Sequence, residues 1–134
     1  MSTKIKLIIA GISGLFAVAL GAFGAHSLKS MVDETMLETF KTGVNYHLIH
    51  SIVLLVLAFA KRSEFNKSFI FILTGILLFS FSLYLYSISQ ITIFAYVTPF
   101  GGISFLIGWG MIIYAARKIK FEHDLIEQKK VDHS

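Results

Sequence analysis

The sequence predicts an all-α protein: a four-helix transmembrane bundle with a short interfacial amphipathic helix between helices 1 and 2. Three observations predict it. Four long apolar runs lie between residues 7 and 116 of a 134-residue chain. Hydrophobic residues make up 55% of the sequence and charged residues 15%, against roughly 45–50% and about 25% in soluble domains, and a chain this small cannot hide that much apolar surface in water. The Lys and Arg residues fall in short clusters between the runs, the placement expected at membrane boundaries. This composition excludes a disordered chain and argues against a water-soluble enzyme. The formal net charge is +4, but the basic residues form no continuous stripe, so the expected partner is the lipid bilayer and not nucleic acid. The absence of Cys excludes disulfides, a thiolate nucleophile and a zinc–cysteine site.

The first run, Leu7 to Ala25, carries no charge. Lys4 and Lys6 precede it as in a signal peptide, but it exceeds the 7–15 residues or so of a signal core and reads as a span over about 7–26. Met36, Leu37, Phe40 and Val44 then recur at helical spacing, with Asp33, Glu34, Glu38 and Lys41 elsewhere around the helix. That pattern predicts the interfacial helix, capped by Asp33 or Ser30 and running into the second span, 42–60. Ser68 to Tyr96 is uncharged throughout and too long for one crossing. A hydrocarbon core about 30 Å thick needs roughly 20 helical residues, so this run divides into a third span, 68–89, and an uncharged connection. The fourth span is 97–116, with Thr98 as cap and Pro99 in the first turn, where its missing N–H costs nothing. Residues 1–120 form one membrane domain and 121–134 a polar tail. Ten of the twelve Lys and Arg lie in the N-terminus, the Lys61–Lys67 connection and the tail. By the positive-inside rule the protein is expected in the plasma membrane with both termini cytoplasmic.

Lipid tails are as apolar as Leu, so helix association relies on small residues that let backbones approach. Helix 1 carries Ala10, Gly14, Ala17, Gly21 and Gly24 at steps of four and three, one expected seam; Gly101, Ser104, Gly108 and Ala115 repeat the pattern in helix 4. Static packing is the favoured reading of these glycines over a moving gate.

The polar residues of the spans gather toward one side. At 1.5 Å per residue, His50 lies about 15 Å from the Ala60 end of its helix, His47 about 20 Å and Asn45 about 22 Å; His26, Ser82, Tyr84, Tyr86 and Thr98 fall at roughly 21–28 Å. His47 and His50, three residues apart, are expected to share a face, with His26 entering from the neighbouring helix. The candidate pocket is His26, Asn45, Tyr46, His50, Ser82, Tyr84 and Thr98. Its imidazoles are candidates for proton relay or metal ligation, with His26 and His50 the weak metal candidates. The favoured reading is a neutral hydrogen-bonded cluster, since the spans hold no Asp or Glu. No cofactor is expected, and no nucleophile–base set is assembled. The indole of Trp109, too deep for a boundary position, is expected to find a backbone carbonyl.

Five strings occur in order: Gly21-Ala-Phe-Gly-Ala-His26, Tyr46-x-x-x-His50, Ser82-Leu-Tyr84, Thr98-Pro-Phe-Gly-Gly102 and Gly108-Trp109. From about Ile5 to Lys118 the chain resembles the domain-of-unknown-function 423 family of small bacterial membrane proteins, which is similar to the eukaryotic transmembrane protein 256. The resemblance implies an integral plasma-membrane protein of four spans and no particular activity. The family typically has Gln where this chain has His47, and often Gly where it has Ser27, so the resemblance points to His26 and His50 ahead of His47. The leading expectation is a non-enzymatic membrane protein, an oligomer or an accessory subunit, acting through helix packing and an outward-facing polar pocket. The alternative is a small transporter or proton/ion conduit using His26 and His50, and a His-bound metalloenzyme ranks last.

Overall fold

A computed structural model describes the backbone of residues 1–132 and the side chains of residues 1–118. The polar tail assigned to 121–134 lies outside the described side chains. Five α-helices follow one another: α1 (Thr3–His26), α2 (Glu34–Phe59), α3 (Asn66–Gly75), α4 (Phe81–Ser89) and α5 (Ile93–Asp132). Four stretches are long and apolar enough to cross a membrane: Thr3–Ser30, Glu34–Phe59, Ser63–Ser89 and Ile93–Lys118. The fold is therefore the expected four-helix bundle, with no strand among the described residues.

Ser2 caps α1 by accepting from the Ile5 amide at 3.4 Å. A single turn, Leu28–Ser30, follows α1, and Asp33 caps α2 by accepting from the Met36 amide at 3.0 Å. The amphipathic stretch anticipated at the interface is continuous with the second span, forming the opening turns of one 26-residue helix. Its apolar side chains hold it in line: Phe40 is fully buried and packs against Phe23 of α1 and Tyr84 of α4.

The third span is α3 and α4 joined by a π-helical turn at Ile76–Ser80. Left-handed residues reverse the chain at both ends of this span, Lys61 at φ 52° and Gln90 at φ 57°. The fourth span departs from expectation at its start. The helix begins at Ile93, where turn bonds from Phe94 N to Ile91 O and from Ala95 N to Thr92 O lead into it, so Pro99 lies inside the helix and Thr98 is not its cap. Thr98 Oγ1 instead lies 2.8 Å from Ser82 Oγ of α4 and 3.4 Å from Phe94 O.

Helix α1 packs along α2, while α5 lies against α3, the π turn and α4. One apolar core, built on Leu54, Phe69, Ile72 and Phe105, joins all four spans; a second, around Leu28, Phe40 and Tyr84, closes the opposite end. The exposed Ile, Leu, Val and Phe side chains, including Leu15, Val18, Val56, Leu106 and Ile113, form the outward surface, as befits a protein whose solvent is lipid.

The anticipated small-residue seams are largely present. Ala10, Ala17 and Gly24, seven residues apart, are buried on the α2 side of α1. A Cβ on Gly24 would meet the Phe40 ring at 2.9 Å, and one on Gly21 would meet Val44 at 3.3 Å. Gly14 is the exception: a Cβ there meets nothing within 4 Å. Its helical position turns it out of the line that Ala10, Ala17 and Gly24 define, so it is not part of the seam. In α5, a Cβ on Gly101 would land on the backbone of Leu78 and Phe79, and one on Gly108 would meet Ile72 at 2.8 Å. Ala115 is buried, and Ser104 Oγ donates to Phe71 O at 2.7 Å. Two further glycines belong to this set. A Cβ on Gly43 would meet the Tyr84 ring at 2.8 Å and Ser80 O at 3.2 Å, and one on Gly75 would meet the Phe105 ring.

Candidate functional site

The intramembrane polar groups do not share one pocket. Besides the bond from Ser104 to Phe71 O between α5 and α3, they form three separate hydrogen-bonded contacts, each tying different helices. His47 and His50 point to different neighbours, because residues three apart on a helix are offset by about 60° at 3.6 residues per turn. In a three-sided environment that offset separates two partners.

His47 is the centre of the largest contact and is 1% exposed. Its Nδ1 lies 3.1 Å from Tyr84 Oη of α4 and its Nε2 lies 3.2 Å from Ser13 Oγ of α1. Ser13 Oγ is 2.6 Å from Ser51 Oγ, and Ser51 Oγ donates to the His47 carbonyl one turn earlier, at 2.8 Å. The direction of every bond follows from proton counting. A hydroxyl has one proton, and Ser51 spends its own on the carbonyl, so Ser13 must donate to Ser51. Ser13 then accepts from His47 Nε2–H. The neutral imidazole has one N–H, so Nδ1 accepts from Tyr84 Oη. The result is a directed chain across three helices, from Tyr84 through His47, Ser13 and Ser51 to a backbone carbonyl.

His50 sits between α2 and α5. Its Nδ1 donates to Tyr46 O at 2.8 Å, since a carbonyl can only accept. Trp109 Nε1 can only donate, and it donates to His50 Nε2 at 3.3 Å. The partner of the indole is thus an imidazole and not the anticipated backbone carbonyl. The Phe105 ring stacks on His50 with centroids 3.7 Å apart, and the ring of Tyr46, itself exposed, lies nearly parallel to the imidazole at 5.9 Å and 6.1 Å from Phe105.

The third contact joins α4 and α5 through Ser82 Oγ and Thr98 Oγ1 at 2.8 Å, with Ser82 Oγ also donating to Phe79 O at 2.9 Å. His26 and Asn45 belong to none of the three; both are exposed on their helices. Of the anticipated pocket, then, the structure pairs Ser82 with Thr98 and Tyr46 with His50. It places Tyr84 on His47 and leaves His26 and Asn45 apart. Among the described residues no group of three His, Asp or Glu comes together that could hold a metal ion.

Ser13 and Ser51 are the members of the His47 chain that the sequence reading passed over. The spacing of His47 and Ser51, four apart on one helix face, was the available signal. Lys6 was also passed over: it is 3% exposed, and its ammonium lies 5.9 Å from the centroid of the Phe69 ring.

Depressions mark the surface of the described residues. A cleft of about 260 Å³ between α1 and the third span has Ser13 and His47 among walls of Ile12, Phe16, Leu77 and Phe81. A larger groove, about 870 Å³, runs between the Ser63–Lys67 connection and the later turns of the fourth span.

Comparison with known proteins places relatives around this geometry. The family described as "Protein of unknown function (DUF423)" matches residues 20–102. The UPF0382 membrane protein YwdK of Bacillus subtilis is 41% identical over 120 residues, covering 86% of this chain and 98% of that protein. The UPF0382 inner membrane protein YgdD of Escherichia coli is 40% identical over 124 residues, covering 90% and 95%. A UPF0382 membrane protein of Haemophilus influenzae is 38% identical over 117 residues, covering 85% and 94%. No solved structure matches.

Proposed function

We propose, for a chain that belongs to the DUF423 family and is a membrane protein like its relatives, a non-enzymatic role as a structural or accessory component of the plasma membrane. Both termini face the cytoplasm in this reading, on the strength of the Lys and Arg distribution. The protein acts through the surfaces of a rigidly latched bundle and not through chemistry at its histidines.

The observation that carries this reading is the occupancy of the imidazoles. Each neutral imidazole has a single lone-pair nitrogen for binding a metal or a proton. On His47 that nitrogen accepts from Tyr84, and on His50 it accepts from Trp109. The remaining N–H groups are spent on Ser13 and on Tyr46 O.

One feature favours a conduit as the second reading, namely a contiguous hydrogen-bonded chain deep in the apolar spans. Against it, the chain ends on the His47 carbonyl, which accepts a hydrogen bond but does not pass a proton on. Flux measurements separate the two readings. Proteoliposomes containing the full chain are expected to take up protons, sodium and potassium no faster than empty liposomes. Flux above that background, lost in both His47→Gln and His50→Ala, overturns the structural reading. A reporter fused in the Gln90–Thr92 connection is expected on the external side; a cytoplasmic signal overturns the assigned orientation.

A further inference from the structure

The larger groove lies at the end of the bundle where the basic residues are densest. In the sequence the charged stretch Lys61–Lys67 separates the uncharged runs of the second and third spans, and Arg117 and Lys118 follow directly on the uncharged run of the fourth, so the mouth of the groove sits at the boundary between hydrocarbon and water. Lys67 and Lys118 line it together with Glu64. The Glu64 carboxylate is within reach of Ser63 Oγ, at 3.5 Å. No described carboxylate pairs with either lysine, and the one ion pair among the described residues, Lys41–Glu38, lies near the opposite end of α2. From this charged mouth the groove continues along α5 past Tyr114 and Gly110 to Ile107, and its lining turns apolar. Gly110 keeps it deep, since a Cβ there meets nothing within 4 Å.

We infer that this groove binds an anionic phospholipid, with the phosphate between Lys67 and Lys118 and an acyl chain laid along α5 over Gly110. Three features favour that occupant. The order of the lining, cationic at the boundary and apolar below it, is the order of a phospholipid from headgroup to tail. Basic recesses between spans are the kind of place where anionic headgroups are recognised. A wholly apolar partner leaves two ammonium groups unanswered, and a free anion leaves the apolar length of the groove unfilled. The assignment stands whether or not ions cross the protein.

The test uses the full chain purified in a neutral detergent, with lipid retention read by native mass spectrometry. Phosphatidylglycerol and phosphatidylcholine of identical acyl chains are the probes. Phosphatidylglycerol is expected to bind more tightly. Each of Lys67→Gln and Lys118→Gln is expected to weaken it about fivefold, the ratio that ~1 kcal/mol per basic residue at a membrane surface converts to. Gly110→Phe sends its ring into the groove from a Cβ position with nothing within 4 Å, so it is expected to remove both lipids while leaving helicity and melting temperature unchanged. Lys61→Gln with Arg62→Gln, changing charges on the same connection outside the groove, is expected to leave the preference in place. Equal retention of the two lipids, retention in Gly110→Phe, or an equal loss in the Lys61/Arg62 variant overturns the assignment. A change in oligomer size with Gly110→Phe, lipid binding being unaffected, also overturns it and gives the groove to a second copy of the chain.

Discussion

Between α1 and α2 the helices meet through hydroxyls and an imidazole set among small side chains; between the third span and α5 they meet mainly through glycines, with one hydroxyl bond from Ser104 to Phe71 O. On the first seam Ser13 reaches His47 and Ser51 across the interface, and Tyr84 completes the chain from α4. On the second, Gly75, Gly101 and Gly108 bring backbone or bare Cα against Phe105, Phe79 and Ile72. Both respond to one condition. Lipid offers no hydrophobic reward for pairing helices, so attraction must come from dispersion at close range or from hydrogen bonds. The glycine seam depends on distance and tolerates no added atom. The hydroxyl seam depends on proton direction and tolerates any side chain that keeps the same donor and acceptor.

The sharpest way to break this contrast is Gly101→Leu. Its first added carbon falls on the Phe79 backbone, which cannot rotate away as a side chain can. Overpacking of this kind costs about 1–3 kcal/mol and occasionally more, and a value at or above about 3 kcal/mol is expected here. Thermal unfolding in detergent measures it, with Gly110→Leu as the control for a glycine in open space. If the two variants melt together, close approach is not what holds α5 in place.

His47 gives the next largest effect and the finer test of the hydroxyl seam. His47→Ala strips partners from Tyr84 and Ser13 and leaves a void. Intramembrane hydrogen bonds average about 0.6 kcal/mol each, and truncation of a buried side chain adds to that, so a loss of about 2–3 kcal/mol is expected. His47→Gln is expected to lose less than about 1 kcal/mol. A carboxamide oxygen accepts as Nδ1 does, and its NH₂ donates as Nε2–H does. The same equivalence gives a physical reason for the Gln that the resemblance implies at this position. If Gln proves as damaging as Ala, the bond directions assigned to the chain are wrong.

How far the sequence spoke depended on how many bodies each feature involves. The four spans were readable because lipid exposure demands uninterrupted apolar residues, a property of one segment at a time. Asp33 as cap was readable for the same local reason. The start of α5 was not, because Thr98-Pro99 satisfies the local rules for a helix opening while the turn that actually opens it, around Ile91–Ala95, carries no marker. The π turn at Ile76–Ser80 lies in a plain apolar run that shows no sign of it. Pairings between helices were the least readable. His47 and His50 share a face on an isolated helix, yet three packed neighbours divide that face between Tyr84 and Ser13 on one side and Trp109 on the other. Gly43 and Gly75 escaped notice because each stands alone, without the spacing that marked the glycines of α1 and α5.

A smaller effect is expected from Trp109→Phe, which removes the bond to His50 and keeps the ring against its neighbours. The loss is expected near 0.6 kcal/mol, the average for one such bond, again by thermal unfolding. His50→Ala in turn is expected to shift the emission of Trp109, the only tryptophan in the chain. An unchanged spectrum disproves the contact.

The smallest expected effect belongs to Gly14→Leu, and it tells most about the outer surface of α1. Sequence spacing placed Gly14 in the seam with Ala17 and Gly21; the structure turns it toward open space. A Cβ there meets nothing within 4 Å, and Leu is a better helix former than Gly by up to about 1 kcal/mol. The melting temperature is therefore expected to hold or rise slightly. A sharp fall would mean that this face of α1 is covered in the detergent-solubilised protein by something outside the chain. Size measured in detergent for both forms identifies the cover: a smaller particle in Gly14→Leu than in the unaltered protein assigns it to a second copy. An unchanged size and melting temperature leave lipid as the only neighbour of Gly14.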